Sequence, residues 1–112
     1  MILWHNPRCS KSREALALLQ DKGAAPQVRR YLEDAPSYDE LKAAQAALGV
    51  PVIAMMRTKE AEFKAAGLSK DSDDETLLRA MAETPKLIER PVAFEGERAV
   101  IGRPPERVLD LL

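Results

Sequence analysis

The stretch Ile2-Leu-Trp-His-Asn-Pro-Arg-Cys-Ser-Lys-Ser-Arg-Glu-Ala-Leu-Ala-Leu-Leu19 decides how the chain folds. Ile2, Leu3 and Trp4 form a short apolar run that stops at Asn6-Pro7, the pattern of a strand closed by a turn. From Ser10 the period changes. Ala15, Leu16, Leu18 and Leu19 make one helical face, and Gly23, after Lys22, is a C-terminal stop. Val28 to Leu32 then reads as a second strand. Strand, helix, strand in this order predicts a right-handed βαβ unit with a parallel pair.

Beyond this unit the pattern is helical. Ser37-Tyr-Asp-Glu40 is a capping box, and Tyr38, Leu41, Ala44 and Leu48 follow at helical spacing up to Gly49. Val52 to Ala66 carries a further helical pattern, broken near Arg57, with Gly67 as its stop. Ser72-Asp-Asp-Glu75 is a second capping box, followed by Leu77, Leu78 and Met81 and ended by Pro85. The last quarter returns to strands. Pro91 to Phe94 and Arg98 to Ile101 flank Glu95-Gly-Glu97, a hairpin signal. Pro104-Pro105 then opens a final helix with Val108, Leu109 and Leu112 as its stripe. The order βαβ, helices, ββα predicts an α/β fold: a thioredoxin-like, four-stranded mixed sheet with a helical insertion at about 37–84, all within one domain spanning 1–112.

Composition narrows the function. Seventeen Lys+Arg against eighteen Asp+Glu give a net charge of −1 over 112 residues, which argues against a nucleic-acid binder working through bulk charge. No apolar run approaches the roughly 18 residues of a membrane span. The opening MILWHNP lacks a basic region and a long apolar stretch, so no signal peptide is expected. One cysteine and one histidine exclude an internal disulfide and argue against a Cys/His metal site. A lone thiol without an export signal fits the reducing cytoplasm.

That thiol, Cys9, lies at the junction of strand and helix. There it meets free backbone N–H groups, the positive end of the helix dipole, and the charges of Arg8, Lys11 and Arg13. Each favours thiolate over thiol, and the same donors suit an oxyanion. His5 lies four residues upstream, and a folded-back loop would let its imidazolium hold the thiolate. The spacing tests two nucleophile patterns. A phosphatase loop needs an arginine at position 15, which is Ala15. A dithiol motif needs a cysteine at position 12, which is Ser12, so any disulfide on Cys9 forms with another molecule.

His5-Asn-Pro-Arg-Cys-Ser-Lys-Ser-Arg13, together with Tyr31-Leu-Glu33, Met56-Arg57, Pro85 to Pro91 and Ile101-Gly-Arg-Pro104, resembles the glutaredoxin-dependent arsenate reductase family over essentially the whole chain. Ser10 and Lys11 depart from the Gly and Thr of its plasmid-borne member and resemble a chromosomal branch. The resemblance implies a thioredoxin fold and a cytoplasmic enzyme of arsenic detoxification. It makes Cys9 the nucleophile and His5 the residue that promotes its thiolate. Arg57, Arg90 and Arg103 become the oxyanion ligands, and Ser10, Lys11, Ser12 and Arg13 the surrounding loop that meets substrate. Pro91 becomes the cis-proline facing the nucleophile. Glutathione is implied as co-substrate and glutaredoxin as reducing partner, with no bound cofactor or metal and no nucleic-acid or membrane partner. The chain is expected to act as a monomer.

The chemistry agrees with the arginines. Arsenate near pH 7 is a tetrahedral dianion, and guanidinium forks bind such oxygens bidentately without losing charge. Arg90 and Arg103 each precede a proline, which holds them extended. Two other functions fit the same fold: a general glutathione-dependent thiol oxidoreductase, and a non-enzymatic regulator. The second is disfavoured because the branch that contacts RNA polymerase generally carries a dithiol where Ser12 stands here.

Overall fold

β1 (Ile2–His5) is the strand on which the sheet is built. The computed structural model describes residues 1–112. Leu3, Trp4 and His5 are all buried, as expected of a strand with neighbours on both sides. α1 (Ser10–Asp21) follows and leads into β2 (Gln27–Arg30), which lies parallel to β1 with His5 opposite Arg30. β3 (Val92–Glu95) runs antiparallel on the other side of β1, and β4 (Arg98–Ile101) pairs antiparallel with β3. The order is β2-β1-β3-β4, one parallel and two antiparallel pairs, as the thioredoxin-like reading requires. Glu95 opposes Arg98 across a two-residue turn, where Gly96 adopts a φ of +58° that side chains rarely tolerate.

The chain divides into two compact units, one of residues 1–34 and 90–112 and one of residues 35–89. In the first, Leu3, Ala15, Leu19, Ala93, Val108 and Leu111 form the core. Each fully buried leucine contributes about 1.5–3 kcal/mol. Trp4 stacks obliquely on Phe94 at 4.7 Å between centroids, with the Arg29 guanidinium 6.0 Å from the indole.

The second unit holds α2 (Tyr38–Leu48), α3 (Ala61–Ala65) and α4 (Asp74–Glu83). Leu41 and Ala44 on α2 and Leu77, Leu78 and Met81 on α4 are buried where these helices pack together. The capping box at Ser37 forms as expected: Glu40 N–H donates to Ser37 Oγ, and Ser37 N–H to Glu40 Oε1.

Three local expectations need correction. The α4 cap is Asp73, one residue later than expected, because its carboxylate accepts from Thr76 N–H at 2.8 Å. Ser72 Oγ accepts instead from Ser69 N–H, closing the preceding turn. The pattern over Val52 to Ala66 is not one helix but a 3-10 turn (Val52–Met55), a β-bridge from Met56 to Ile88, and α3. Pairing with Ile88 takes Met56 out of helical geometry. The final helix is 3-10 over Pro105–Leu111.

Candidate active site

The loop between β1 and α1 is tied to itself by short hydrogen bonds. Cys9 N–H donates to Asn6 O at 3.0 Å, and Arg8 N–H to Asn6 Oδ1 at 3.0 Å. Asn6 N–H donates to Ser12 Oγ at 3.1 Å, and Arg13 Nη1 to Pro7 O at 3.0 Å. Cys9 is the N-cap of α1, with extended backbone and no side-chain capping bond. Its C=O accepts the first helical bond, from Arg13 N–H at 3.0 Å. A side chain at an N-cap lies beside the unused N–H groups of the first turn, which here meet a sulfur rather than a hydroxyl.

Burial pushes the Cys9 thiol up, since only 8% of the residue is exposed. It is outweighed. The backbone N–H of Ser12, the hydrogen bond and charge of Arg90, and the N–H of Lys11 together bring Cys9 below the ordinary thiol value. Arg103 adds a second guanidinium, its Nη2 at 3.9 Å from Sγ. Arg103 Nε donates to Arg90 O at 3.0 Å, so the two arginines hold one another in place. Arg90-Pro91 is cis, as the resemblance implied for Pro91; Arg103-Pro104 is cis as well, which the sequence reading did not foresee. Gly102 N–H donates to Pro91 O at 2.9 Å, and a Cβ at Gly102 would stand 2.8 Å from Pro91 Cγ. Glycine there allows the close approach that brings Arg103 alongside Arg90.

His5 differs from the expectation in its charge. It is buried, and its Nδ1 lies 2.7 Å from Ser12 Oγ. Burial, then the charges of Arg30 and Arg13, push its pKa below 6.5, so it is a neutral imidazole at pH 7. The positive charge at the sulfur comes from the arginines, not from an imidazolium. Ser12, fully buried, joins the end of β1 to the start of α1 through His5 and Asn6.

The remaining loop residues take separate parts. Ser10 is exposed at the first helical position. Lys11 turns its N–H toward Cys9 while its ammonium pairs with Glu14 at 3.7 Å. Arg13 spends one donor on Pro7 O. Arg57 belongs to the second unit. Its N–H donates to Leu87 O at 2.8 Å, and its Nη1 pairs with Glu60 at 2.6 Å. Glu60 is shared with Lys86 at 3.6 Å. Sequence reasoning missed Glu60, although its spacing of three from Arg57 is a readable signal. It also missed Arg30, whose place opposite His5 depends on parallel register and has no local signal.

A model of the ArsC family matches residues 4–111. A Haemophilus influenzae protein named arsenate reductase is 46% identical over 114 residues, covering 100% of this chain and 98% of the relative. A Neisseria meningitidis serogroup A protein of the same name is 44% identical, over 95% of this chain and 92% of its own length. Among solved structures, an arsenate reductase from Vibrio cholerae superposes with a TM-score of 0.96 at 52% identity, covering 99% of this chain and 96% of that one.

Proposed function

Because the chain belongs to the ArsC family, we propose that it is an oxidoreductase that reduces arsenate to arsenite with Cys9 as nucleophile. One observation carries the reading: a sulfur whose pKa two backbone N–H groups and Arg90 bring below the ordinary thiol value despite burial, with Arg103 at 3.9 Å. The donors that stabilise the thiolate also suit the oxygens of an incoming tetrahedral dianion.

In the proposed reaction the Cys9 thiolate attacks arsenic(V), a sulfur–arsenic bond forms as one arsenic–oxygen bond breaks, and the departing hydroxyl takes a proton from solvent and leaves as water. Arg90 and Arg103 neutralise charge on the remaining oxygens as it builds. Arg57 supplies the third contact by family correspondence. Within its own unit Arg57 Nη1 pairs with Glu60. Glutathione thiolate then attacks Cys9 sulfur in this adduct. A disulfide forms, the sulfur–arsenic electron pair passes to arsenic, and arsenite departs. Two sulfurs lose one electron each and arsenic gains two. Glutaredoxin removes the glutathione and restores the thiolate. The outside thiol is obligatory because the chain has one cysteine. We further propose that the protein works as a monomer in the cytoplasm, where thiols stay reduced.

The test is arsenate reduction with glutathione and glutaredoxin, run beside Cys9→Ser. Turnover in the wild type and its loss in a folded Cys9→Ser protein are expected. Retained turnover in Cys9→Ser ends the nucleophile assignment. Preference for a mixed glutathione disulfide over arsenate would favour a general thiol oxidoreductase instead.

A further inference from the structure

Within the second unit, two short segments run antiparallel and set Lys86 beside Arg57. Glu89 N–H donates to Met55 O at 2.7 Å, Met56 bridges Ile88, and Arg57 N–H donates to Leu87 O at 2.8 Å. Leu87 and Ile88 are fully buried, so the core fixes this pairing. The 3-10 turn Pro85–Leu87 begins with proline and leaves Lys86 exposed, next to the residue that receives Arg57 N–H. Lys86 Nζ stands 3.6 Å from Glu60 Oε2 and 3.2 Å from Glu62 Oε2. The other Glu60 oxygen, Oε1, meets Arg57 Nη1 at 2.6 Å. Glu60 is the N-cap of α3, where a carboxylate usually accepts from the first turn, yet its side chain makes no capping bond. Both its oxygens are turned to cations instead. The backbone N–H of Glu62, then Lys86, then the charge of Arg57 hold the Glu62 carboxyl below its usual range, so the field of Arg57 reaches this second acid too.

We propose that Lys86 is a positioning residue for Arg57: its ammonium steadies Glu60, which holds the guanidinium, and engages Glu62, which would otherwise compete for it. The inference rests on the reading of Arg57 as an oxyanion ligand. A carboxylate gripped at both oxygens keeps one geometry, and an arginine tied to it is ordered before an anion arrives, which lowers the ordering cost of binding. The second half of the argument is electrostatic. Without the ammonium, Glu60 and Glu62 are like charges on one short stretch of chain, and Arg57 is the cation they share. Glu62 then competes with an incoming oxyanion for the guanidinium. Lys86 satisfies Glu62 and leaves Arg57 with Glu60 as its carboxylate partner. It touches no reacting atom, so it acts on affinity for the oxyanion and not on the chemical step.

The test is steady-state arsenate reduction by the full chain, with Lys86→Gln, Lys86→Arg and the double variant Lys86→Gln/Glu62→Gln beside the wild type. Lys86 and Glu62 are exposed, so all three variants fold. Lys86→Gln should raise KM for arsenate about two- to fivefold, the range of a partly exposed charge interaction, and leave kcat within about twofold. Lys86→Arg should restore KM. So should the double variant, because the competing acid has gone; a merely structural ion pair would not be rescued by losing its second member. In about 0.5 M potassium chloride the difference between wild type and Lys86→Gln should shrink. An unchanged KM in an active Lys86→Gln enzyme, or a raised KM that neither Lys86→Arg nor the double variant lowers, overturns the inference. Inorganic sulfate, a tetrahedral dianion with no redox step to follow here, separates this result from the fate of the arsenate reading. Its Kd, read from the Arg57 Nε–H signal by NMR, should follow the same order across the four proteins. A wild type that reduces no arsenate but shows this order with sulfate removes the arsenate reading and leaves the role of Lys86 standing. A wild type that binds neither anion overturns both.

Discussion

Replacing Ser12 by alanine tests the joint on which the active-site loop hangs. Ser12 is fully buried, and its Oγ serves two partners: His5 Nδ1 at 2.7 Å and Asn6 N–H at 3.1 Å. Alanine is nearly isosteric, so no cavity opens. Both partners lose their bond inside the protein, at about 1–3 kcal/mol for each buried polar group left unmatched, or roughly 2–4 kcal/mol together. Alanine regains about 0.5 kcal/mol in helix propensity, leaving a net loss of roughly 1.5–3.5 kcal/mol. A domain of this size has about 5–15 kcal/mol to lose, so the variant folds. Urea denaturation followed by circular dichroism reads the effect. With a slope of about 1.5 kcal/mol/M, the midpoint should fall by roughly 1–2.3 M at unchanged slope. Ser10→Ala, at an exposed position on the same helix, is the control and should stay within about 0.5 kcal/mol of wild type. A Ser12→Ala midpoint no lower than that of Ser10→Ala would refute the view that this hydroxyl ties strand to helix.

Three further outcomes follow from the site. Cys9 has a folded pKa below its unfolded value near 9.0, so the stability it contributes is full above 9.0 and is lost as pH falls through the lowered value. The stability difference between wild type and Cys9→Ser, measured by denaturation across that range, should therefore grow with pH; a flat difference would show that the thiolate is not favoured by folding. Gly102→Ala drives a Cβ to 2.8 Å from Pro91 Cγ and 3.0 Å from Val108 Cγ1, and should cost about 1–3 kcal/mol in the same experiment. A neutral result there would mean that Pro91 and Val108 give way freely. Glu60→Ala removes a partly buried ion pair and should cost about 1 kcal/mol of stability while raising KM for arsenate, whereas Glu60→Gln, which keeps an acceptor for Arg57, should hold KM near wild type. Equal KM values in all three proteins would remove Glu60 from any part in orienting Arg57.

What could be read from the chain and what could not divide along a physical line. The junction at Asn6-Pro7, the α1 face and the Ser37 capping box are local features, and they formed where the residues indicated. The strand-end positions of Arg90 and Arg103 are local too, since each precedes a proline. Their approach to Cys9 is not: it joins positions about 80 and 94 residues away, and only the family resemblance anticipated it. The same distinction explains the misread segment after Pro51. Its apolar residues carry helical spacing, yet Met56 finds a better partner in Ile88, 32 residues on, than in its own turn. His5 was read as a cation because its neighbours in sequence permit it. Burial and the charge of Arg30, which arrives through the register of β2, decide otherwise.

Trp4 is the chain's single indole, stacked on Phe94 in the first unit. The second unit, with three of the four α-helices, contains no tryptophan. The molecule thus carries its own optical division of labour. Fluorescence emission reports the melting of the sheet alone, and a far-ultraviolet helical signal draws largely on the other unit. Overlaid transitions would show one cooperative body, and separated ones would give the order in which the two come apart, with no label attached.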